Sequence, residues 1–260
     1  MDDITNPSHA ALAARIRIVM VGTQHPGNLG SAARAMRTMG LSRMVLVAPE
    51  KKPDLATASM AAGAEALVFD APVFATLEEA VADCRLVLGC TARSRRIALE
   101  ELAPREAASR ALDAVFRGDD IALVFGRERT GLDNHELQLC HAAVHIPADP
   151  EFSSLNLAAA VQVLAYELRV GLLAAASTAE AVPASGDGVP ASHAELEGFF
   201  SQLGETLDAI DFHKGRTPES AMRKLRRIFL RADMNAREVR LMRGVLADAQ
   251  RMARIATEGR

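Results

Sequence analysis

The chain has 260 residues, of which 49% are hydrophobic and 24% are charged, and its net charge is −3. This composition is ordinary for a soluble globular protein with a sizeable core, and it argues against a chain that binds nucleic acid through overall basicity. Tryptophan is absent and aromatic residues make up only 4%, which argues against a protein that stacks single strands on aromatic platforms.

The cysteines and the apolar runs set the expected compartment. Cys84, Cys90 and Cys140 show no CxxC spacing, so neither a disulfide framework nor a metal site is predicted. No apolar run has the length and flanks of a membrane span, and residues 1–14 form a tail without the features of a signal peptide. We therefore expect a cytoplasmic protein without a membrane or metal partner.

The first structured unit is a strand at residues 16–21 followed by a glycine-rich turn and a helix at residues 31–39. The turn and the helix start read GTQHPGNLGSAAR. Gly27 and Gly30 would let the backbone approach a ligand, and the free N–H groups of a helix start favour an anion. Arg34 would add a fixed cation, which suits a phosphate-bearing partner. The alternative is a turn that only packs the helix onto the strand and leaves Arg34 solvated.

The rest of the first domain alternates strands with helices. Further strands are predicted at residues 44–47, 66–69, 85–90, 121–125 and 143–146, and helices end near Gly63 and span residues 77–82, 104–116 and 155–173. Alternation of this kind predicts an α/β fold with a mostly parallel sheet and helices on both faces. The helix at 155–173 is apolar almost all round, so it either crosses the core or faces a partner subunit.

A composition change divides the chain. Residues 174–192 are small, polar and interrupted by proline, which predicts a linker between a domain at 15–173 and a helical region at 193–260. That region is predicted to hold helices at 195–209, 218–231 and 235–254, with Thr217 as the cap of the second. It carries a net charge of +3, whereas residues 1–192 carry −6. Its basic side chains either form a solvated face or contact RNA phosphates, and they are Arg223, Lys224, Arg226, Arg227, Arg231, Arg237, Arg240 and Arg243.

Four segments suited to a ligand follow predicted strands or open the last helix of the domain. They are residues 90–95 (CTARSR), 126–132 (GRERTGL), 146–150 and 153–156 (SSLN). In a parallel sheet, ligands bind outside the carboxyl ends of the strands. Together these segments predict one pocket of backbone and small side chains for a neutral or zwitterionic cofactor.

Three stretches carry a resemblance to a known family. GTQHPGNLGSAAR, FGRERTGL and SSLNLAAAVQVLAYELR resemble the three ordered motifs of the SpoU branch of the SPOUT RNA ribose methyltransferases, over residues 15–172. Within that branch they look most like the bacterial TrmJ type, which methylates the ribose 2′-hydroxyl at position 32 of tRNA. The resemblance implies a C-terminal trefoil knot, S-adenosylmethionine as methyl donor, and a homodimer with active sites at its interface.

The same resemblance assigns roles to single residues. Arg34 matches the catalytic arginine and Asn28 its companion, while Glu128, Ser154 and Asn156 match the other polar positions of the active site. The positions implied to hold the cofactor are Cys90, Thr91, Ala92, Gly126, Ile146, Ser153, Ser154 and Leu155. Cys90 stands where the family often has a hydroxyl residue.

Alternatives stay open at several of these positions. Glu128 either acts in the site or pairs with Arg127 or Arg129 to shape its loop, and Ser154 could cap a helix that begins at Leu155. A guanidinium is effectively always protonated, so we interpret Arg34 as a phosphate grip and oxyanion stabiliser rather than a base. Three rival functions remain: methylation of ribosomal RNA or another tRNA position, RNA binding without catalysis, and dinucleotide-dependent oxidoreduction, for which GxGxxG is missing.

Overall fold

A computed structural model describes residues 8–92, 99–177, 190–214 and 217–258 of the chain. It divides into two compact units, Met1–Ala184 and Ser185–Arg260. Arg93, Ser94 and Arg95 of the predicted ligand segment 90–95, and most of the predicted linker, lie outside the described residues. The predicted domain boundaries stay predictions.

The first unit is built on a parallel sheet of seven strands. The strands are β1 (Ile16–Val21), β2 (Arg43–Val47), β3 (Val73–Phe74), β4 (Leu86–Cys90), β5 (Glu101–Leu102), β6 (Ile121–Phe125) and β7 (Ala142–Val144). Every neighbouring pair is parallel and the order across the sheet is β3-β2-β1-β6-β4-β7-β5. The sheet confirms the predicted fold class.

Eight helices accompany these strands among the described residues of this unit. They are α1 (His9–Ala13), α2 (Pro26–Thr38), α3 (Leu55–Ala61), α4 (Ala66–Phe69), α5 (Leu77–Val81), α6 (Pro104–Phe116), α7 (Asn134–Gln138) and α8 (Leu157–Ser177). Side chains alternate across each strand, so β1 sends Ile18 and Met20 into the apolar cluster shared with α2, α6 and α8. Val19 and Val21 join the cluster on the other face, with α5 and α7. Both faces are therefore covered, as a parallel sheet requires.

The second unit has three described helices around its own apolar core. They are α9 (His193–Ala209), α10 (Pro218–Arg231) and α11 (Ala236–Glu258). Phe199 and Phe200 of α9 are buried, and Phe229 of α10 packs edge-on against Phe199 with ring centroids 4.8 Å apart. Thr217 precedes α10 as predicted, but its side chain makes no capping hydrogen bond.

The start of α2 corrects the sequence prediction. The helix begins at Pro26, not near Ser31, because proline at the first helical position supplies a suitable φ and lacks only an N–H that would be unpaired there. Gly22 instead takes the positive φ of the turn, at 58°. Gly30 lies inside the helix, where a Cβ would come within 2.1 Å of the Thr57 carbonyl oxygen, so its task is to let α2 and α3 touch.

Three further predictions differ from the structure. Residues 66–69 form helix α4 rather than a strand, and the strand that pairs with β2 is β3, further along the chain. The two-residue strand β5 was missed, because two residues carry no periodicity. Helix α8 begins at Leu157 rather than at Leu155.

Helix α8 is long and largely apolar. Its stretch Leu157–Ala175 is long and apolar enough to cross a membrane by length and composition. In the first unit, Val161, Leu164 and Leu168 of this helix are fully buried in the core instead.

Candidate active site

A cavity opens at the carboxyl ends of β4, β6 and β7, near the point where β6 is inserted between β1 and β4. Its lining includes all eight positions implied to hold the cofactor: Cys90, Thr91, Ala92, Gly126, Ile146, Ser153, Ser154 and Leu155. The segments that contribute them are far apart in sequence but each follows a strand, and parallel strands end on the same edge of the sheet. The predicted single pocket therefore exists in the described residues.

One wall of the cavity is a tight hairpin after β6. Arg127 and Gly131 exchange both backbone hydrogen bonds, at 3.2 and 2.8 Å. At Gly126 a Cβ would lie 2.2 Å from backbone atoms of Gly131 and Leu132, so only glycine allows this closure. Arg127 donates to both carboxylate oxygens of Glu136 at 3.0 Å, which ties the hairpin to α7.

Glu128 at the tip of this hairpin holds the opening turn in place. Its carboxylate accepts hydrogen bonds from the backbone N–H groups of Gln24 (2.9 Å) and His25 (3.1 Å) and from Asn28 Nδ2 (2.9 Å). The alternative that Glu128 pairs with Arg127 or Arg129 is wrong, because within the described residues Glu128 makes no ion pair with either arginine and Arg127 is paired to Glu136. Burial works to raise the pKa of the Glu128 carboxyl, but these hydrogen bonds outweigh it and keep the pKa below its usual value. Glu128 therefore stays ionised.

The hydrogen-bond chain continues to the third motif. Asn156 donates from Nδ2 to Asn28 Oδ1 at 3.2 Å, and its own Oδ1 accepts from the backbone N–H of Ala158 at 2.9 Å. Asn156 is thus the residue that caps α8, and the alternative that Ser154 caps a helix at Leu155 is wrong. Ser154 is exposed and lines the cavity. The structure therefore brings Glu128, Asn28 and Asn156 into one network beside Ser154.

Arg34 is the predicted site residue that this arrangement leaves out. It is exposed on α2, it does not line the cavity, and its side chain makes no ion pair or hydrogen bond with the part of the chain that the structure describes. A guanidinium with no internal partner is available to an external anion.

Cys90 lines the cavity as a neutral thiol. Burial raises the pKa of its thiol, and Cys140 adds a smaller push in the same direction. No thiolate nucleophile is available there at neutral pH. Across the described ranges, no group of three or more His, Cys, Asp or Glu side chains is placed to hold a metal ion.

Arg127, Arg129, Thr130 and Gly131 also line the cavity, as predicted for the segment 126–132, although the sequence assigned none of them a role of its own. The cavity residues that the sequence did not predict are Phe125, Val144, Leu157 and Ala160. The aliphatic wall residues look like any core residue in the sequence, and only the fold shows which of them face the cavity.

The parallel sheet, the cavity lined by the second and third motifs, and the network that ties the first motif to them fit the SpoU class of methylases. The SpoU rRNA methylase family profile matches residues 15–166, and the profile of the tRNA methyltransferase TrmJ C-terminal domain matches residues 194–258. The chain belongs to the SpoU rRNA methylase family and, within it, to the TrmJ group.

Named relatives agree over nearly the whole length. The chain is 46% identical to a tRNA (cytidine/uridine/adenosine-2′-O-)-methyltransferase TrmJ of Pseudomonas aeruginosa, covering 92% of this chain and 95% of that protein. It is 47% identical to a tRNA (cytidine/uridine-2′-O-)-methyltransferase TrmJ of Escherichia coli K12, covering 90% and 95%. The crystal structure of TrmJ from Z. mobilis ZM4 matches with a TM-score of 0.75 at 33% identity, over 89% of this chain and 97% of that one.

Proposed function

We propose that this chain transfers a methyl group from S-adenosylmethionine to the ribose 2′-hydroxyl of tRNA, at the cytidine or uridine in position 32 of the anticodon loop. The observation that carries the proposal is the hydrogen-bond network of Glu128, Asn28 and Asn156, which joins the first motif to the second and third motifs. Residues of the second and third motifs, Glu128 among them, line the cavity itself. The relatives named as tRNA 2′-O-methyltransferases, at 46–47% identity, support the reaction and the class of RNA.

The cavity suits the methyl donor chemically. Val144, Ile146 and Leu155 give it apolar walls for a purine ring, and the backbone of residues 90–92 and 126–131 gives it polar edges. The donor supplies an electrophilic methyl group on a sulfonium. A rate enhancement then depends mainly on holding the ribose hydroxyl in line and close to that methyl group.

The chain's own residues supply position and charge. The amide of Asn28 is fixed at both ends, since it donates to Glu128 and accepts from Asn156, so it cannot rotate freely. The Ser154 hydroxyl is exposed in the cavity and is free to orient a polar group of the substrate. Arg34 grips the phosphate next to the target and stabilises negative charge that develops on the ribose oxygen.

The site is completed by a second copy of the chain, with Arg34 of one protomer facing the cavity of its partner. Two observations support this arrangement. Arg34 stands outside the cavity of its own chain. Helix α8, which packs in the core on one side, leaves Tyr166, Val170 and Leu173 exposed on the other, where a partner subunit could cover them.

Mixing two inactive variants tests the shared site. We expect Ala92→Trp, which places a large side chain in the cavity at an exposed position, to abolish S-adenosylmethionine binding in calorimetry, and Arg34→Ala to keep it. Heterodimers of the two variants, made by refolding together and verified by native mass spectrometry, should regain activity at one of their two sites. If verified heterodimers transfer no methyl group, the active site is not shared between the two protomers.

The second unit extends the RNA contact. Arg223, Lys224, Arg227 and Arg231 of α10 are exposed, and so are Arg237 and Arg240 of α11. Arg226 and Arg243 are engaged within the unit, by Glu197 and by Gln202 respectively. The exposed set neutralises tRNA phosphates, and the protein works in the cytoplasm, where its substrate is.

A further inference from the structure

The loop from β7 to α8 presents an exposed phenylalanine beside the cavity. Phe152 has 84% of its surface exposed, whereas the next most exposed described aromatic, Tyr166, has 53%. The three residues that follow it, Ser153, Ser154 and Leu155, line the cavity. An aromatic ring therefore stands in water at the edge of the site.

The local backbone holds the loop that carries this ring. The Phe152 N–H donates to the Asp149 carbonyl oxygen at 3.0 Å, and the Glu151 N–H donates to Asp149 Oδ1 at 2.8 Å. Burial of a phenylalanine side chain is stabilising, so a ring left in solvent forgoes that stabilisation in the isolated chain. The ring is thus available to a binding partner.

The charge around the ring selects the kind of partner. Asp149 and Glu151 precede it in the same loop, and both are exposed carboxylates that repel phosphate groups. A neutral nucleobase has no such penalty, and its flat face matches the face of the ring. An unpaired loop nucleotide that brings its ribose into an enzyme cavity leaves its stacked neighbours, and an aromatic side chain can replace the lost stacking.

We propose that Phe152 is a stacking platform for an unpaired nucleobase at or beside the nucleotide whose ribose is methylated. The inference rests on the proposed function, since it takes RNA as the substrate of this cavity. Stacking tolerates any base because every base has a π-face, so Phe152 contributes affinity and positioning rather than base selection. The low aromatic content of the chain argues against a broad stacking surface, but one ring at the site is enough for one base.

The absence of tryptophan from the sequence makes a direct test possible. Phe152→Trp creates a single fluorescent reporter at the platform while it keeps an aromatic face. Titration with an unmodified tRNA anticodon stem–loop should quench its emission, with a dissociation constant close to that of the wild type. Phe152→Leu keeps an apolar side chain but removes the ring face, and should weaken stem–loop binding about five- to 150-fold.

Two controls separate the platform from other roles. Phe69→Leu changes a half-exposed phenylalanine on α4 and should leave RNA binding unchanged. Calorimetry should give the same S-adenosylmethionine affinity for Phe152→Leu as for the wild type, which shows that the neighbouring cavity is intact.

The outcomes are distinct. Wild-type stem–loop affinity in Phe152→Leu, in a protein that methylates tRNA normally, overturns the stacking role alone. Blue-shifted emission of Phe152→Trp without RNA, together with a changed oligomeric mass of Phe152→Leu, assigns the ring to a subunit contact and also overturns it. A wild type that transfers no methyl group to RNA removes the proposed function first, and the stacking role with it.

Discussion

At the scale of single residues, the site depends on one carboxylate with three donors. Glu128 reaches back from the hairpin after β6 to the turn after β1, about a hundred residues earlier in the chain, and fixes the start of α2. The sequence could predict that Glu128 belongs to a functional motif. It could not predict the hydrogen-bond donors to Glu128, because an ion pair with the adjacent Arg127 or Arg129 is equally compatible with the sequence.

We expect Glu128→Gln to lower the free energy of unfolding at neutral pH by about 1–2 kcal/mol, because an amide offers one acceptor oxygen where the carboxylate offers two. The pKa of Glu128 is depressed by folding, so its contribution is present above its unfolded pKa of about 4.3 and is lost as the pH falls through the folded value. Urea unfolding should therefore show the wild type and the variant converging in acid.

The matched control is Glu101→Gln, an exposed glutamate on the edge strand β5, which should leave stability unchanged at neutral pH. A Glu128→Gln deficit that stays constant down to strongly acidic pH would contradict the role given to the ionised carboxylate. Methyl transfer by Glu128→Gln should fall more than its S-adenosylmethionine affinity, since the turn and Asn28 are displaced while most of the cavity is kept.

At the scale of elements, the strands and helices predicted correctly are those with a strong local sequence pattern. β1, β4 and β6 are short, largely apolar runs, and their predicted bounds lie within one residue of the observed ones. The predicted bounds of α6, Pro104 and Phe116, are those of the structure. Residues 66–69 read Ala-Leu-Val-Phe, which suits a buried strand, yet they form a helical turn that buries only Val68. The pairing of β3 with β2 is a tertiary contact, and a two-residue strand carries no periodic signal of it.

A pair of glycines on α2 tests the helix contact. Gly30→Ala should destabilise the first unit by about 1–3 kcal/mol, because its Cβ would lie 2.1 Å from the Thr57 carbonyl oxygen of α3. Gly27→Ala places its Cβ 3.6 Å from Met60, an ordinary contact, and should be neutral or stabilising by up to about 1 kcal/mol. Thermal unfolding of both variants measures the difference, and equal effects would contradict the packing role of Gly30.

Two neighbouring arginines on α10 are expected to have different roles, one in stability and the other in RNA binding. Arg226 donates to both oxygens of Glu197, at 2.9 and 2.6 Å, and its guanidinium lies 4.2 Å from the Phe200 ring centre. Arg227 is exposed, and within the described ranges its side chain makes no ion pair. Arg227→Gln should weaken tRNA binding and reduce the salt slope by about one, with stability unchanged. Arg226→Gln should instead destabilise the second unit by about 1–3 kcal/mol.

Binding isotherms at several salt concentrations, with urea unfolding of the same samples, distinguish these two outcomes. An unchanged salt slope in Arg227→Gln would remove it from the RNA surface. Unchanged stability in Arg226→Gln would mean that its ion pair and ring contact contribute nothing net.

At the scale of the whole molecule, the cavity could be predicted from sequence and the position of Arg34 relative to it could not. Each ligand segment follows a strand or opens α8, and parallel topology brings those ends together whatever the details. Arg34 lies on an exposed helix face, and no local sequence pattern shows whether its side chain acts at the cavity of its own chain or of a partner chain. The knot implied by the resemblance depends on how the chain is threaded, and hydrophobic periodicity carries no information about threading. The knot therefore stays a prediction.

The activity proposed for this cavity is the transfer of a methyl group to one ribose hydroxyl of tRNA. The most direct measurement incubates the purified wild type with S-adenosylmethionine and an unmodified tRNA transcript, and maps the product by nuclease digestion and mass spectrometry. We expect one 2′-O-methyl group at nucleotide 32, none in a transcript with a 2′-deoxy sugar there, and none with Arg34→Ala. Methylation of a base, or of ribosomal RNA but not tRNA, would contradict the proposed activity.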